Sequence, residues 1–170
     1  MKKFYNLLLL ILWLPVIGQQ TPANPQEQSI LITNAMLHLG NGTTLEKGAL
    51  GFKNGIITFV GSQADETDYE QIIDAEGTHL YPGFIALNAS LGLAEIDAVR
   101  ATRDDDELGD FLPHIRAAIA YDAESKIVES MRPNGVLLAQ ITPRGGRISG
   151  SSSVMQLDAW NWEDALAKTD

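Results

Sequence analysis

The residues with the most informative spacing for chemistry stand at the end of a short apolar segment. Residues 80–93 read LYPGFIALNASLGL, in which an apolar run ends at Asn88, Ala89 and Ser90. Side chains two positions apart on a strand share a face, so Asn88 and Ser90 are expected to point the same way. Two histidines arranged like this could chelate a divalent metal ion, whereas amide and hydroxyl groups offer neutral oxygens, which are weak ligands for a zinc-type ion. The positions therefore have the spacing of a metal site without its ligand chemistry.

A second candidate site is the glycine-rich segment 142–153, TPRGGRISGSSS. Arg144 and Arg147 could bind a carboxylate, and Gly145 and Gly146 allow a close approach of backbone to a ligand. The segment lacks the Gly-Lys-Ser/Thr ending of a nucleotide-binding loop, and no Gly-x-Ser-x-Gly elbow supports its serines as nucleophiles. Two interpretations stay open, a plain loop after a strand and a loop that contacts a ligand.

An acidic run at residues 104–107, DDDE, lies in the long connection 93–121. A solvated loop is the favoured interpretation. The alternatives are a calcium site completed by Glu95 or Asp97, which would lack the glycine and spacing of an EF-hand loop, and a role in substrate recognition.

The three histidines, His38, His79 and His114, are far apart in the sequence. None pairs with another at the spacing of a metal motif, which predicts surface or structural histidines. His79 is expected to be the most buried because it precedes a predicted domain boundary near residue 81.

The predicted secondary structure changes near Pro82, from short β-strands before it to a strand, a helix and a strand after it. Residues 29–80 show short β-type runs, with an Asn54-Gly55 pair that predicts a type I′ hairpin. After Pro82, GFIALN is apolar on both faces and predicts a buried parallel strand. A helix is predicted over 123–132, with Asp122 as N-cap and 133–135, PNG, as its end, followed by the apolar run VLLAQI. Strand, crossover helix and strand indicate an α/β sheet or barrel.

The composition and the N-terminal sequence limit the partners and the cellular location expected for the chain. The 170 residues carry a net charge of −10, which argues against nucleic acid or an anionic membrane surface as partner. Lys2 and Lys3 precede an apolar run of about 15 residues, shorter than the roughly 20 that span a bilayer, so residues 1–18 are predicted to be a signal peptide and 19–28 a flexible linker. Export to the periplasm or medium, with no stable anchor after cleavage, is therefore expected. The absence of cysteine excludes disulfides and a lipoprotein attachment site.

Three segments together resemble the amidohydrolase superfamily, in particular exported amidohydrolases related to imidazolonepropionase. They are NGIITFVG, residues 74–85 (DAEGTHLYPGFI), and GVLLAQITPRGGRISGSSSVMQLDAW. The resemblance implies a composite β-sandwich, with part of it in residues 29–81, and the first strands of a TIM barrel in residues 82–170. A barrel of this kind needs about 250 residues, so it would be incomplete in this chain.

The family motif on the first barrel strand reads Pro-Gly-Phe-Ile-Asp-x-His-x-His, and its histidines bind a divalent metal that activates water. Here Ala86 stands at the aspartate position, and Asn88 and Ser90 stand at the two histidine positions. The resemblance therefore implies the fold, together with a degenerate form of the metal site.

Two hypotheses about function stay open at this stage. In the first, the chain is the N-terminal portion of an exported amidohydrolase-like protein that hydrolyses carbon–nitrogen bonds in small amides or cyclic amides. This portion would be inactive by itself, and a divalent metal such as zinc would be held by later residues of the full-length protein. In the second, it is a non-catalytic homologue that binds a ligand or pairs with amidohydrolase-like subunits in a homo- or hetero-oligomer. No cofactor is assigned to this chain itself.

Overall fold

The computed structural model describes residues 22–168, which form two β-sheets connected by loops and short helices. The predicted signal peptide and the first residues of the predicted linker lie outside these described residues. Within them, no helix is long and apolar enough to cross a membrane.

The first sheet is built by residues 30–80 and has the strand order β3-β2-β1-β4, with β5 also paired to β1. Its strands are β1 (Ile30–His38), β2 (Thr44–Lys53), β3 (Ile56–Gly61), β4 (Gln71–Asp74) and β5 (His79–Leu80). The turn between β2 and β3 has positive φ at Asn54 (52°) and Gly55 (71°). A type I′ turn needs this conformation at both positions, so the predicted hairpin is confirmed.

The second sheet is built by residues after Pro82 and has the order β6-β7-β8-β9. Its strands are β6 (Phe84–Ala89), β7 (Val136–Ile141), β8 (Ser153–Gln156) and β9 (Leu166–Lys168). β6 and β7 are parallel, as predicted, and β8 and β9 continue the sheet in antiparallel fashion. The described residues thus contain a parallel strand pair but no closed barrel.

The helix between β6 and β7 begins later than predicted. α1 spans Lys126–Met131, and the Ser125 hydroxyl accepts a hydrogen bond from the Val128 backbone N–H at 3.4 Å. The predicted N-cap Asp122 instead accepts from the N–H of Glu124, in the turn before the helix. Both residue types are good N-caps, and the serine three residues further on takes the role. A 3₁₀ turn, Arg132–Asn134, follows and ends at Gly135, which has φ 82°. A second short helix, α2 (Trp162–Ala165), precedes β9.

The main core lies between one face of the second sheet and the connection that carries α1. Its members include the fully buried Val128, Ala139, Ile141 and Met155. Tyr121 is also in this cluster, and its hydroxyl has no hydrogen-bond partner among the described residues. Burial raises the pKa of Tyr121 to about 12, with a smaller contribution from Asp122.

Most of the large apolar side chains of β6 are exposed, which corrects the prediction of a strand buried on both faces. Phe84, Ile85 and Leu87 are 64%, 53% and 72% exposed. In a closed barrel such side chains would be covered by the other strands and the outer helices, which the described residues do not supply. The apolar pattern of GFIALN therefore indicates a strand suited to a larger sheet.

Candidate functional site

The end of β6 departs from regular pairing at Asn88. Ala86 pairs with Ala139 and Ala89 pairs with Ile141, so β6 has one residue more than β7 between these pairs. Asn88 lies in this bulge with φ 50°, a conformation that asparagine tolerates better than most residues. The strict alternation that would direct Asn88 and Ser90 to one face ends at this bulge. Ser90 follows the strand, and its carbonyl accepts from the N–H of Leu93.

The structure joins the two sites that were proposed separately from the sequence. Arg144 of the glycine-rich loop donates from Nη2 to the Asn88 backbone carbonyl at 2.8 Å and from Nη1 to Asn88 Oδ1 at 3.3 Å. The side-chain oxygen at the position where the family resemblance expects the first metal ligand is therefore in contact with a cation. Arg147, also predicted for this site, is exposed and does not contact Asn88 in the described structure.

A glutamine in β7 supports the same strand end. Gln140 Oε1 accepts from the N–H of Asn88 at 3.4 Å, and its Nε2 donates to Ser152 Oγ at 3.1 Å. The sequence analysis did not single out Gln140. A polar residue inside the apolar run VLLAQI was the signal that could have identified it.

These residues do not fit a divalent metal ion at the end of β6. Neutral oxygens are weak ligands, and a permanently charged guanidinium beside them repels a second cation. Elsewhere in residues 22–168, no group of three or more His, Cys, Asp or Glu side chains is arranged to hold a metal. Within residues 22–168 the acidic run therefore does not belong to a group of ligands that could hold calcium.

The acidic run lies along the glycine-rich loop, an arrangement that the sequence did not reveal. The Arg144 N–H donates to the Asp105 carbonyl at 2.5 Å, and Asp106 forms a parallel bridge with Arg144. Asp105 is only 8% exposed and pairs with Arg103 through an Nε–Oδ1 contact of 3.3 Å. This carboxylate raises the pKa of Arg103. The favoured interpretation of a solvated loop is therefore wrong for Asp105.

A cavity of about 420 Å³ lies between the long connection and the glycine-rich loop. Acidic residues line one part of it, and His114, Arg116, Pro143 and Ser149 are among its other lining residues. The cavity is on the side of the sheet where β6 and β7 end, which is where α/β folds place ligands.

The glycines were predicted to let the backbone approach a ligand closely. In the structure Gly146 instead allows close contact between two segments of the chain. Gly146 has φ 55°, and a Cβ there would lie 2.7 Å from the Gly109 carbonyl oxygen. Two successive N–H groups, of Arg147 and Ile148, donate to the Asp110 carbonyl at 2.8 and 2.9 Å. The loop is fixed against residues 109–110, so these glycines serve packing of the loop that carries Arg144. Gly145 lies nearby with φ 83° and is exposed.

The histidines were predicted to be surface or structural residues, and the exposed His79 and His114 agree with this, but the structure also brings His38 and His79 together. His38 Nε2 lies 2.9 Å from His79 Nδ1. The pairing escaped the sequence analysis because it joins parallel strands β1 and β5, whose residues are about 40 positions apart. His79 is exposed and His38 is half-buried, so the expectation of a buried His79 is also wrong.

Comparison with known proteins supports the fold class. No protein-family model matches the sequence, and neither does any curated protein. Among solved structures, an amidohydrolase from Thermotoga maritima is similar, with a TM-score of 0.73 and 26% sequence identity over 82% of this chain. A prolidase complexed with N-methylphosphonate-L-proline has a TM-score of 0.47 at 19% identity, covering 74% of this chain and 32% of that one. An A. niger ochratoxinase has a TM-score of 0.38 at 22% identity, covering 66% and 25%.

The described residues therefore have an amidohydrolase-superfamily fold, as the sequence resemblance implied. This chain spans 36% of the length of the Thermotoga maritima protein.

Proposed function

We propose that this chain belongs to a non-catalytic amidohydrolase-like protein, in which the end of the first barrel strand binds a ligand and not a catalytic metal. The observation that carries the proposal is the pair of hydrogen bonds from Arg144 to Asn88. A guanidinium stays charged at any pH at which the protein is folded. It therefore supplies a fixed positive charge at the place where the family motif binds a metal.

The ligand site in this proposal is the cavity of about 420 Å³ lined in part by Pro143 and Ser149, which belong to the loop that carries Arg144. Its volume falls within the range of about 300–1,000 Å³ typical of small-molecule pockets. The walls combine acidic side chains with His114 and apolar groups such as Ile119. A small amide that carries a cationic group matches this lining, since its amide can form hydrogen bonds and its charge can face the acidic residues.

Metal-assisted hydrolysis of a carbon–nitrogen bond is the second candidate. It is favoured by the similarity to a solved structure described as an amidohydrolase. In this case residues beyond Asp170 in a longer protein would hold a divalent ion such as zinc, and Asn88 and Ser90 would provide oxygen contacts at most. The ion would polarise the scissile carbonyl and lower the pKa of a bound water.

Metal analysis and an activity assay on the same preparation separate the two candidates. We expect a longer protein that contains this chain, dialysed against zinc and then against buffer, to contain well under one equivalent of zinc and to hydrolyse neither N-acyl amino acids nor cyclic dipeptides. Stoichiometric zinc together with zinc-dependent hydrolysis in that protein would establish the hydrolase. The ligand site is tested by thermal shift with cationic amides, for which we expect Asp106→Asn to weaken the response and the exposed Arg147→Gln to leave it unchanged.

Export is a further part of the proposal and rests on the N-terminal sequence alone. Mass spectrometry of the protein recovered from a Gram-negative host is expected to find a mature N-terminus near Gln19. Recovery of an intact Met1 in the soluble cytoplasmic fraction would contradict it.

Size-exclusion chromatography with light scattering tests the proposed subunit pairing.

A further inference from the structure

We propose that His38, His79 and Tyr81 form a binding site for a transition-metal ion, with Cu²⁺ the best-matched ion. This site lies in the first sheet, away from Asn88 and Arg144, and does not depend on the proposed function. It rests on the convergence of three donor atoms that the sequence keeps far apart.

Strand register brings the three side chains to one face. β1 and β5 are parallel, with Met36 opposite His79 and Leu37 opposite Leu80, so the next position places His38 opposite Tyr81. Residues two apart on a strand share a face, which puts His79 and Tyr81 on the same side. His38 then lies between them.

The donor atoms are close enough to share one ion. His38 Nε2 is 2.9 Å from His79 Nδ1, and Tyr81 Oη is 3.2 Å from the same Nδ1. An ion bonded to two imidazoles at about 2.0–2.1 Å separates the nitrogens by about 2.9 Å at a right angle and about 3.4 Å at a tetrahedral angle. The observed separation of 2.9 Å lies in this range, and a set of imidazole nitrogens and a phenol oxygen suits Cu²⁺ or Ni²⁺.

The surrounding contacts orient His38 for this role. Its ring stacks on Tyr81 with centroids 4.1 Å apart and an interplanar angle of 10°. Its second ring nitrogen, Nδ1, lies 3.3 Å from Thr44 Oγ1. Histidines that bind metals commonly donate from the other nitrogen to an oxygen, and Thr44 is in place to accept that proton.

In the described structure the two imidazole nitrogens are within hydrogen-bonding distance of each other. The rings of His38 and His79 are nearly coplanar, with an interplanar angle of 19°, so an N–H of one imidazole points at the lone pair of the other. Binding replaces this proton and requires the rings to turn until both lone pairs meet at one ion. The exposed His79 ring has room to turn.

The remaining coordination positions of the ion would be open to a cavity. His38 and Tyr81 line a cavity of about 450 Å³, together with Gly40, Gly42 and Phe84. Water or a small anion could complete the coordination there. A bound ion would connect β1, β5 and the segment leading into β6, so it would stabilise the junction between the two sheets.

The test is a titration of the full chain with Cu²⁺ alone, followed by electron paramagnetic resonance. We expect one equivalent to bind with hyperfine coupling to two imidazole nitrogens and to raise the melting temperature. His38→Gln and His79→Gln should each lower the affinity by about tenfold or more. His114→Gln is the matched control, since it removes the third histidine of the chain, and it should bind normally.

The same variants define the results that would contradict the proposed metal site. Binding that survives in both His38→Gln and His79→Gln, or that is lost in His114→Gln, would overturn the proposal. Tyr81→Phe keeps the ring stack and removes the oxygen, so it should retain the two-nitrogen signal and change the remaining ligand pattern. The hyperfine coupling in the unmodified chain gives an answer even where a variant folds poorly, because a spectrum without two imidazole nitrogens rejects the site.

Discussion

Arg144 should weaken metal binding even when histidines are introduced at positions 88 and 90. The double variant Asn88→His with Ser90→His recreates the His-x-His spacing on β6. Arg144 would keep its 2.8 Å hydrogen bond in that variant, because the acceptor is the backbone carbonyl of residue 88. We therefore expect the double variant to bind zinc weakly, and the triple variant that adds Arg144→Gln to bind it more tightly.

The size of the effect depends on the distance between the guanidinium and the ion. At a separation of about 4 Å two unit charges interact by about 1 kcal/mol in water. A divalent ion doubles this to about 2 kcal/mol, which corresponds to about 30-fold in affinity. Arg144 is exposed, so the value for water is the appropriate one, and lower local polarity would increase it.

Competition with a chromophoric chelator measures these affinities. Arg147→Gln in the double-histidine background is the matched control, because it removes the same charge from the same loop without a contact to residue 88. It should change zinc affinity by no more than about threefold. Equal zinc affinity with arginine and with glutamine at position 144 would refute the electrostatic reasoning.

Three further predictions concern the scaffold, and each is checked by urea unfolding. Tyr121→Phe should be neutral or stabilising by about 1 kcal/mol at pH 7, since it removes a buried hydroxyl without a partner. The raised pKa of Tyr121, about 12, means that its contribution is complete below pH 10 and is lost as pH rises towards 12, and the variant should not show this alkaline loss. Gly146→Ala should cost about 1–3 kcal/mol, because φ is 55° and the new Cβ would meet a carbonyl oxygen at 2.7 Å. Ser125→Ala should cost about 1 kcal/mol as loss of the helix cap, whereas an equal or larger cost for Asp122→Ala would indicate that the helix begins where the sequence predicted.

Structural features that depend on residues close together in the sequence could be predicted, whereas features that depend on distant residues could not. The hairpin at Asn54-Gly55 follows from two adjacent residues with positive φ, and the parallel β6–β7 pair follows from apolar runs separated by a helix. The start of α1 was misplaced because Asp122 and Ser125 are both good caps. Which residue bonds to the helix depends on its burial, and Ser125 is 2% exposed.

The contacts that define the two candidate sites have long-range causes. Arg144 and Asn88 are 56 positions apart, and His38 and His79 are 41 positions apart. For Arg144 and Asn88 the residue types suggested chemistry, whereas the histidines were predicted to be surface or structural residues, and in both cases the partner depended on strand register and loop path. The bulge at Asn88 is a further example, since one extra residue in β6 decides which side chains face the core.

The backbone at residue 88 explains how the fold can be retained while the metal chemistry is changed. Asn88 has φ 50°, and asparagine, aspartate and histidine are the residues other than glycine that most often adopt this conformation. A histidine at this position would therefore meet no new backbone strain. Under the proposed function, the difference between a metal-binding strand end and the present one includes the side chain at residue 88 and the cation that contacts it. Arg144 reaches Asn88 from a loop fixed by Gly146 and residues 109–110, so this loop would place a protein charge where the family motif holds a metal.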